Sequence, residues 1–530
     1  MCRLLLIVIL SSSMCVAQNI VVPDNNFKYA LLHHQPAIDT DGDGLIQIIE
    51  AQTFDAPLIV NGFGIADLDG IQYFVNIPSL ECRYNNLNEL DISNNTSLTY
   101  LDAKSNGLNS LIVGNAPLIT LIAGSNYALS VVDLSAITTL ERLDLISNNI
   151  TNLDISTLTN LKKLDLSFNS LMSLDVSETT ALETLKLNRN SITSLDINAL
   201  TELKFLNLQD NLLTNLDLST ATELESLWLS DNLLTDIDLS NSLNIVDLRI
   251  GENLLSNLDV SSLLSLEVLL CSNNSLTNLD VSNQTLLRNL QCGYNNLDSL
   301  DISHLSNIAY INCENNQITE LSITSDNFLR LDANNNLLSS FEINVGSSTQ
   351  RQRISISNNQ LVDLDLSSTK LRYLDCSNNP VLESINMRND WNWVFSNICC
   401  YSSFENLPAL NSVCLDYYGG NYITIDFILD QVGHPVDFYN NEDCTELVLS
   451  VNDNDIVSEL VVSPNPASTT ITVLGVSDVN KLMIYNQLGQ IVQEEQNTRT
   501  ADISSLESGI YFLKITDENM NHQVKKILKN

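Results

Sequence analysis

The strongest constraint on this chain is that it repeats itself. "LERLDLISNNITNLDISTLTN" begins at Leu140, "LKKLDLSFNSLMSLDVSETTA" at Leu161, and two further copies begin at Leu182 and Leu203. The framework L-x-x-L-x-L-x-x-N-x-L-x-x-L-D-[ILV]-S returns every 21 residues. Its asparagines fall at Asn85, Asn106, Asn126, Asn148, Asn169, Asn190, Asn211, Asn232, Asn253, Asn274, Asn295, Asn316, Asn336, Asn359 and Asn379, never closer than 20 residues nor further apart than 23. A unit that short cannot bury its own leucines. Stacking unit on unit buries them in one continuous core.

Each L-x-L alternation reads as a short strand with its leucines inward, and successive strands pair in parallel about 4.8 Å apart. The asparagine turns the chain after the strand, and its side chain can satisfy backbone groups that the turn leaves unpaired. The L-D-[ILV]-S segment is too short and too β-branched for a helix, so extended or 3₁₀ structure is expected on the convex side. This pattern resembles the leucine-rich repeat family. The expected fold is an α/β-type solenoid, mostly β: a horseshoe of about 15 turns of 21 residues over 58–390, followed by a small β-sandwich.

A second row accompanies the asparagines: Asp91, Asp133, Asp154, Asp175, Asp196, Asp217, Asp238, Asp259, Asp280, Asp301 and Asp365. Carboxylates stacked at strand spacing repel unless each accepts hydrogen bonds or shares a cation. Two readings stand, turn capping by each side chain and further calcium along that edge.

Ahead of the repeats, in a cap spanning 18–57, lies "DTDGDGLIQIIE" (Asp39 to Glu50). It fits the loop D-x-[DN]-x-[DN]-G-x₅-E in full and resembles an EF-hand. The resemblance implies ligands from Asp39, Asp41, Asp43, the Leu45 carbonyl, Gln47 and bidentate Glu50, with Gly44 at the sharp turn. "PDNNFKYALLHH" before it and "EAQTF" after it supply short helices. Calcium sensors usually pair two hands and open a Met-rich groove; this chain has one loop and no such groove. The expected cofactor is therefore structural calcium.

Cysteines fall into two sets. Cys82, Cys271, Cys292, Cys313 and Cys376 all take the second inward strand position, where a reduced thiol serves as a small buried hydrophobe. Cys399, Cys400, Cys414 and Cys444 lie in an aromatic segment expected to cap the solenoid over 391–449, with a linker at 450–457. In an exported protein they are disulfide candidates; Cys414 with Cys444 is the preferred pair, although the connectivity is not readable from the sequence.

Both ends carry addresses. Residues 1–17, "MCRLLLIVILSSSMCVA", read as a signal peptide with Arg3, an apolar stretch and a small-residue cleavage site. From Ser458 to Asn530 the leucine period gives way to alternating strands, "LVVSPNPASTTITV", "KLMIYNQLGQIV" and "ADISSLESGIYFLKI". These motifs resemble the C-terminal sorting domain of the type IX secretion system. The resemblance implies secretion machinery as a partner, a Gram-negative bacterium of the Bacteroidetes type, and a secreted or outer-membrane surface location. No other stretch is long and apolar enough to span a bilayer, so membrane insertion is not expected.

The balance of 24 basic and 64 acidic residues, a net −40, repels nucleic acid and anionic lipid. The five histidines join no H-E-x-x-H, and neither a G-x-S-x-G nor a P-loop occurs, so an enzyme is not expected. Binding remains. The scarce cations and two aromatics gather on one strip of expected concave positions: Arg142, Lys163, Lys186, Phe205, Trp228 and Arg249. Aromatic and arginine anchors are typical of binding hot spots. A second strip carries Tyr310, Arg330, Arg353 and Tyr373. Bacterial surface proteins such as the internalins share the repeats and the preceding cap. That resemblance implies an adhesin or recognition module for a protein or glycan ligand; the alternative is an envelope spacer with no dedicated ligand.

Overall fold

The computed structural model describes residues 18–346, 350–388, 402–415, 428–439, 461–474, 479–486, 490–517 and 522–530. The expected signal peptide, the expected linker, Cys399, Cys400 and Cys444 lie outside them. The chain divides into two compact units, Met1–Leu297 and Asp298–Asn530.

The first unit opens with helix Asn25–Leu32, capped by the Asp24 carboxylate on the Asn26 and Phe27 amides, and helix Ile48–Thr53 after the acidic loop. Parallel strands follow from Leu58–Ile59 through Ser79–Glu81, Tyr100–Asp102 and onward to Asn289–Gln291, each three-residue strand paired with its neighbours in an unbroken register. The inward leucines, among them Leu143, Leu164, Leu185, Leu206, Leu227 and Leu248, are essentially solvent-free. Their burial supplies the driving force that no single turn could collect.

The asparagines form the ladder that their spacing implied. Asn211 donates to the carbonyls of Leu187 (3.0 Å) and Leu208 (3.1 Å), and accepts from the Ile192 amide at 3.0 Å. Each such side chain therefore ties its own turn to the one before. The residue preceding it is left-handed in every such turn of this unit, from Tyr84 (φ 57°) to Tyr294 (φ 55°). That kink points the asparagine inward and throws the preceding side chain out. Leucine spacing gives no sign of it, since serine, phenylalanine, arginine and aspartate all occupy the position.

In the second unit, strands Tyr310–Asn312, Arg330–Asp332, Gln352–Ser355 and Leu371–Asp375 pair in parallel. Asp363–Asp365, Ser384–Asn386, Ser412–Cys414 and Asp437–Tyr439 form a separate parallel ladder. The segment expected as a separate cap thus continues the solenoid's own pairing. Cys414 is disulfide-bonded, and its partner lies outside the described residues. The solenoid runs one turn beyond the asparagine ladder at each end. Gly62 and Gly64 make the bend after Leu58–Ile59, and left-handed Asn406 makes it after Ser403, which pairs with Asp375.

The carboxy-terminal region is the expected small β-sandwich. Antiparallel strands Val461–Ser463, Thr470–Leu474 and Thr500–Asp502 form one sheet. Ile491–Gln496, Val479–Tyr485, Gly509–Asp517 and His522–Lys529 form the other. Ile471, Leu482, Ile484, Leu513 and Ile527 close the core between them. Among the described residues, no helix is long and apolar enough to cross a membrane.

Candidate functional site

Chemistry gathers first in the amino-terminal loop. There the Asp39, Asp41 and Asp43 carboxylates offer oxygens within 4.8 Å of one another. Left-handed Gly42 and Gly44 allow the tight winding, and their amides both donate to Asp39, at 2.7 and 2.9 Å. Asp43 accepts from the Leu45 amide (2.8 Å) and the Gln47 side chain (3.0 Å). Glu50 returns to the base of the loop, where it accepts from the Thr40 amide (2.7 Å), the Thr40 hydroxyl (2.8 Å) and the Gln47 amide (3.0 Å). Burial alone would raise the Glu50 carboxyl, but the Gln47 and Thr40 donors outweigh it and hold it below the ordinary range. At Asp41 the Asp43 amide pulls downward, yet desolvation and repulsion from Asp43, Glu50 and Asp39 win, and its pKa is raised. Converging hard oxygens, whose mutual repulsion raises Asp41, fit a calcium-type cation. Asp39, Asp41, Asp43, Glu50, the Leu45 carbonyl and Gln47 are the groups that would hold it. Such an ion would neutralise the loop and brace the cap.

The cap is joined to the repeats. The Asp24 carboxylate accepts from the Ala66 amide at 2.8 Å as well as capping its own helix, and Asn26 donates to the Gly64 carbonyl at 3.1 Å. The first helix of the cap is thereby tied to the first turn of the solenoid.

The descending aspartates behave otherwise. Asp154, Asp217, Asp238 and Asp259 each accept from the amide two residues on, at 2.9–3.0 Å. Hydrogen bonds from Ser156 hold the Asp154 carboxyl below its ordinary value, and those from Ser219 do the same for Asp217. Turn capping describes this row.

On the sheet face of the first unit, strand register places Lys186, Asn207, Trp228 and Arg249 in one column, and Thr184, Phe205, Ser226 and Asp247 in the next. The Phe205 ring meets Trp228 edge-on at 5.0 Å. The Arg249 guanidinium lies 4.0 Å from the Trp228 ring centre, and the Lys186 ammonium 5.8 Å from that of Phe205. Asp247 locks the group: it accepts from Arg249 Nε at 3.0 Å, from Arg249 Nη2 at 2.9 Å, and from Trp228 Nε1 at 3.2 Å. Lys186 also faces Asp165 at 3.6 Å. The structure thus brings four of the six strip residues into one braced stack.

Arg142 and Lys163 are not part of it. They sit side by side in the Phe205 column, with Thr184 between them and the ring. Arg142 pairs with Asp144 of its own strand at 3.6 Å. Burial, then the neighbouring Asp165, raises the Asp144 carboxyl.

Sequence reasoning missed a cluster at the rim. The Arg189 guanidinium lies 4.9 Å from the Phe168 ring centre, and its Nε is 3.1 Å from Asp210 Oδ2. All three precede a ladder asparagine, so the position before that asparagine was the available signal. In the second unit, Tyr310, Arg330, Arg353 and Tyr373 are neighbours across four strands, with Arg353 4.8 Å from the Tyr373 ring centre.

The inward cysteines Cys82, Cys271, Cys292, Cys313 and Cys376 are buried free thiols, as expected. Burial pushes Cys271 up to about 12. A thiol kept neutral in this way is a poor nucleophile and metal ligand.

Comparison with known proteins agrees with this architecture. Residues 461–530 match the family described as the secretion system C-terminal sorting domain. No curated protein matches the chain. Among solved structures, the functional domain of InlJ from Listeria monocytogenes, which includes a cysteine ladder, is 22% identical with a TM-score of 0.50, covering 96% of this chain and 97% of that one. A leucine-rich repeat protein of Leptospira interrogans is 22% identical with a TM-score of 0.47, over 59% of this chain and 92% of that one. The leucine-rich effector YopM from Yersinia pestis is also 22% identical, with a TM-score of 0.46 over 61% and 83%. The repeat region has the leucine-rich repeat fold seen in the internalins, and the chain ends in a secretion sorting domain.

Proposed function

We propose that this chain is an exported binding protein, an adhesin or recognition module rather than an enzyme, which grips a protein or glycan through the Lys186–Phe205–Trp228–Arg249 stack. The observation that carries this reading is the bracing of Trp228 and Arg249 by Asp247. In a chain so short of cations, two anchors already held in one geometry lose little freedom on binding. The sorting domain supports a route out of the cell through secretion machinery, with release or surface attachment as its end. A calcium ion in the Asp39–Glu50 loop serves as a clip on the solenoid's first turn, not as a switch.

The test is a glycan and protein array probed with the chain from Gln18 onward. Ligands of the stack are expected to lose roughly thirtyfold or more in affinity on Trp228→Ala with Arg249→Ala. If every ligand on the array keeps its affinity in that variant, the stack is ordinary sheet surface and the spacer reading replaces this one.

A further inference from the structure

The turns of Asn211, Asn232 and Asn253 differ from their neighbours on the rim as well as on the sheet. The residue just after each ladder asparagine points outward, and here it is Leu212, Leu233 and Leu254, exposed by 45%, 42% and 55%. In the flanking turns the same position holds Asn149, Ser170 and Ser191 on one side and Ser275 and Asn296 on the other. Tyr127, four turns away, is the one other apolar side chain of that row in the first unit. The repeat consensus therefore does not account for three leucines in succession.

The left-handed position just before each asparagine changes in the same three turns. It holds Asp210 (φ 57°), Asp231 (φ 61°) and Glu252 (φ 54°), and is acidic in no other turn of this unit. Asp210 is paired with Arg189, whereas Asp231 and Glu252 form no ion pair among the described residues. Beyond the leucines, the same turns carry Asp217, Asp238 and Asp259 of the capping row, all exposed. An apolar ridge thus runs along the solenoid axis, with an acidic row two residues before it and, beyond the exposed Thr214, Asn215, Thr235, Asp236, Ser256 and Asn257, the capping aspartates after it. Backbone bonds keep its members in step: the Leu233 amide donates to the Leu213 carbonyl and the Leu254 amide to the Leu234 carbonyl, both at 2.9 Å.

From this coincidence we infer that the ridge is a docking site for a cationic amphipathic helix of a partner protein. Spacing selects the helix. Leucines on successive turns repeat at about 4.8 Å. A helix lying along the ridge presents an apolar residue every three to four positions, or about 5 Å at 1.5 Å per residue. An extended peptide repeats each face at about 6.6 Å and falls out of step. Charge selects the flanks, because lysines or arginines on either side of the helix's apolar stripe would meet the acidic rows. The site lies on the same three turns as Phe205, Trp228 and Arg249 but on a different surface, and it stands without the sheet-face reading.

The experiment uses the chain from Gln18 onward and a designed leucine–lysine helix of about 14 residues. Two control peptides accompany it: one with the leucines replaced by serine at equal charge, one with the lysines replaced by glutamate. Binding is followed by fluorescence anisotropy at about 0.15 M salt, where unspecific attraction to the acidic chain is screened. The leucine–lysine helix is expected to bind about tenfold or more tightly than either control. Leu233→Gln with Leu254→Gln, and separately Asp231→Asn with Glu252→Gln, are each expected to weaken it about tenfold, while Ser191→Gln leaves it unchanged. Circular dichroism melting confirms that each variant is folded. Equal binding of the serine peptide, wild-type affinity in either ridge variant, or no binding at all overturns the proposal. Array ligands lost on Trp228→Ala with Arg249→Ala report on the sheet face, so the two readings fail separately.

Discussion

The amino-terminal loop and the descending capping row are both built from aspartates, and they solve the same electrostatic problem in opposite ways. In the loop, Asp39, Asp41 and Asp43 converge within 4.8 Å and Asp41 is pushed upward. Along the solenoid, each carboxylate turns to the amide two residues on, and Asp133, Asp154, Asp175, Asp217, Asp238 and Asp259 are held low. An acidic residue supplied with its own donor is a cap. Acidic residues whose oxygens converge on one centre, even with donors of their own, fit a cation.

An interior polar group sets the scale against which both acidic rows are measured. Asn232→Ala would leave the Leu208 and Leu229 carbonyls and the Leu213 amide without their partner. A loss of roughly 3 kcal/mol is expected in urea unfolding. Calcium removal comes next. With the ion at a hundredfold excess over its dissociation constant, chelation should cost about 2.7 kcal/mol in the melting of the cap and first turns. Asp39→Asn with Asp43→Asn should abolish that dependence. A chelator effect that survives the double variant would place calcium on the capping row and break the comparison.

Acid sharpens it further, because Asp41 responds with the opposite sign to the capping row, whereas Glu50 at the base of the loop is held low as the caps are. Capping carboxylates have folded pKa values below 3.8, so their contribution is present at neutral pH and is lost as pH falls below about 4. Asp41 has a raised folded pKa, so without calcium, protonation relieves the loop as pH falls through its range. The protection of the Gly42 to Leu45 amides in chelator, corrected for the intrinsic slowing of exchange in acid, should therefore rise on mild acidification, while thermal stability of the repeats declines only at lower pH. The smallest effect belongs to a single capping residue. Asp154→Asn should lower the melting temperature slightly and leave its calcium dependence as in the parent chain.

Much of this was readable in advance. The ladder asparagines, inward leucines and buried cysteines follow from a period that local steric rules convert directly into strand and turn. The acidic loop and the sandwich strands follow from spacing and turn residues in the same manner. The stack was half readable: Lys186, Phe205, Trp228 and Arg249 could be placed on one face, but not the way Asp247 clasps two of them. Nor did leucine spacing show the left-handed residue before each asparagine, because that conformation is imposed by packing the asparagine inward and not by the residue that adopts it.

The sequence by itself determined the period, and with it the solenoid, the cap loop and the order of domains, because those depend on residues close along the chain. Tertiary structure alone decided which side chains of successive turns meet. Residues 21 apart become neighbours about 4.8 Å apart only when strands pair in register. That lateral contact divides the six strip residues into a braced stack and two bystanders, and lines up Leu212, Leu233 and Leu254 beside an acidic row.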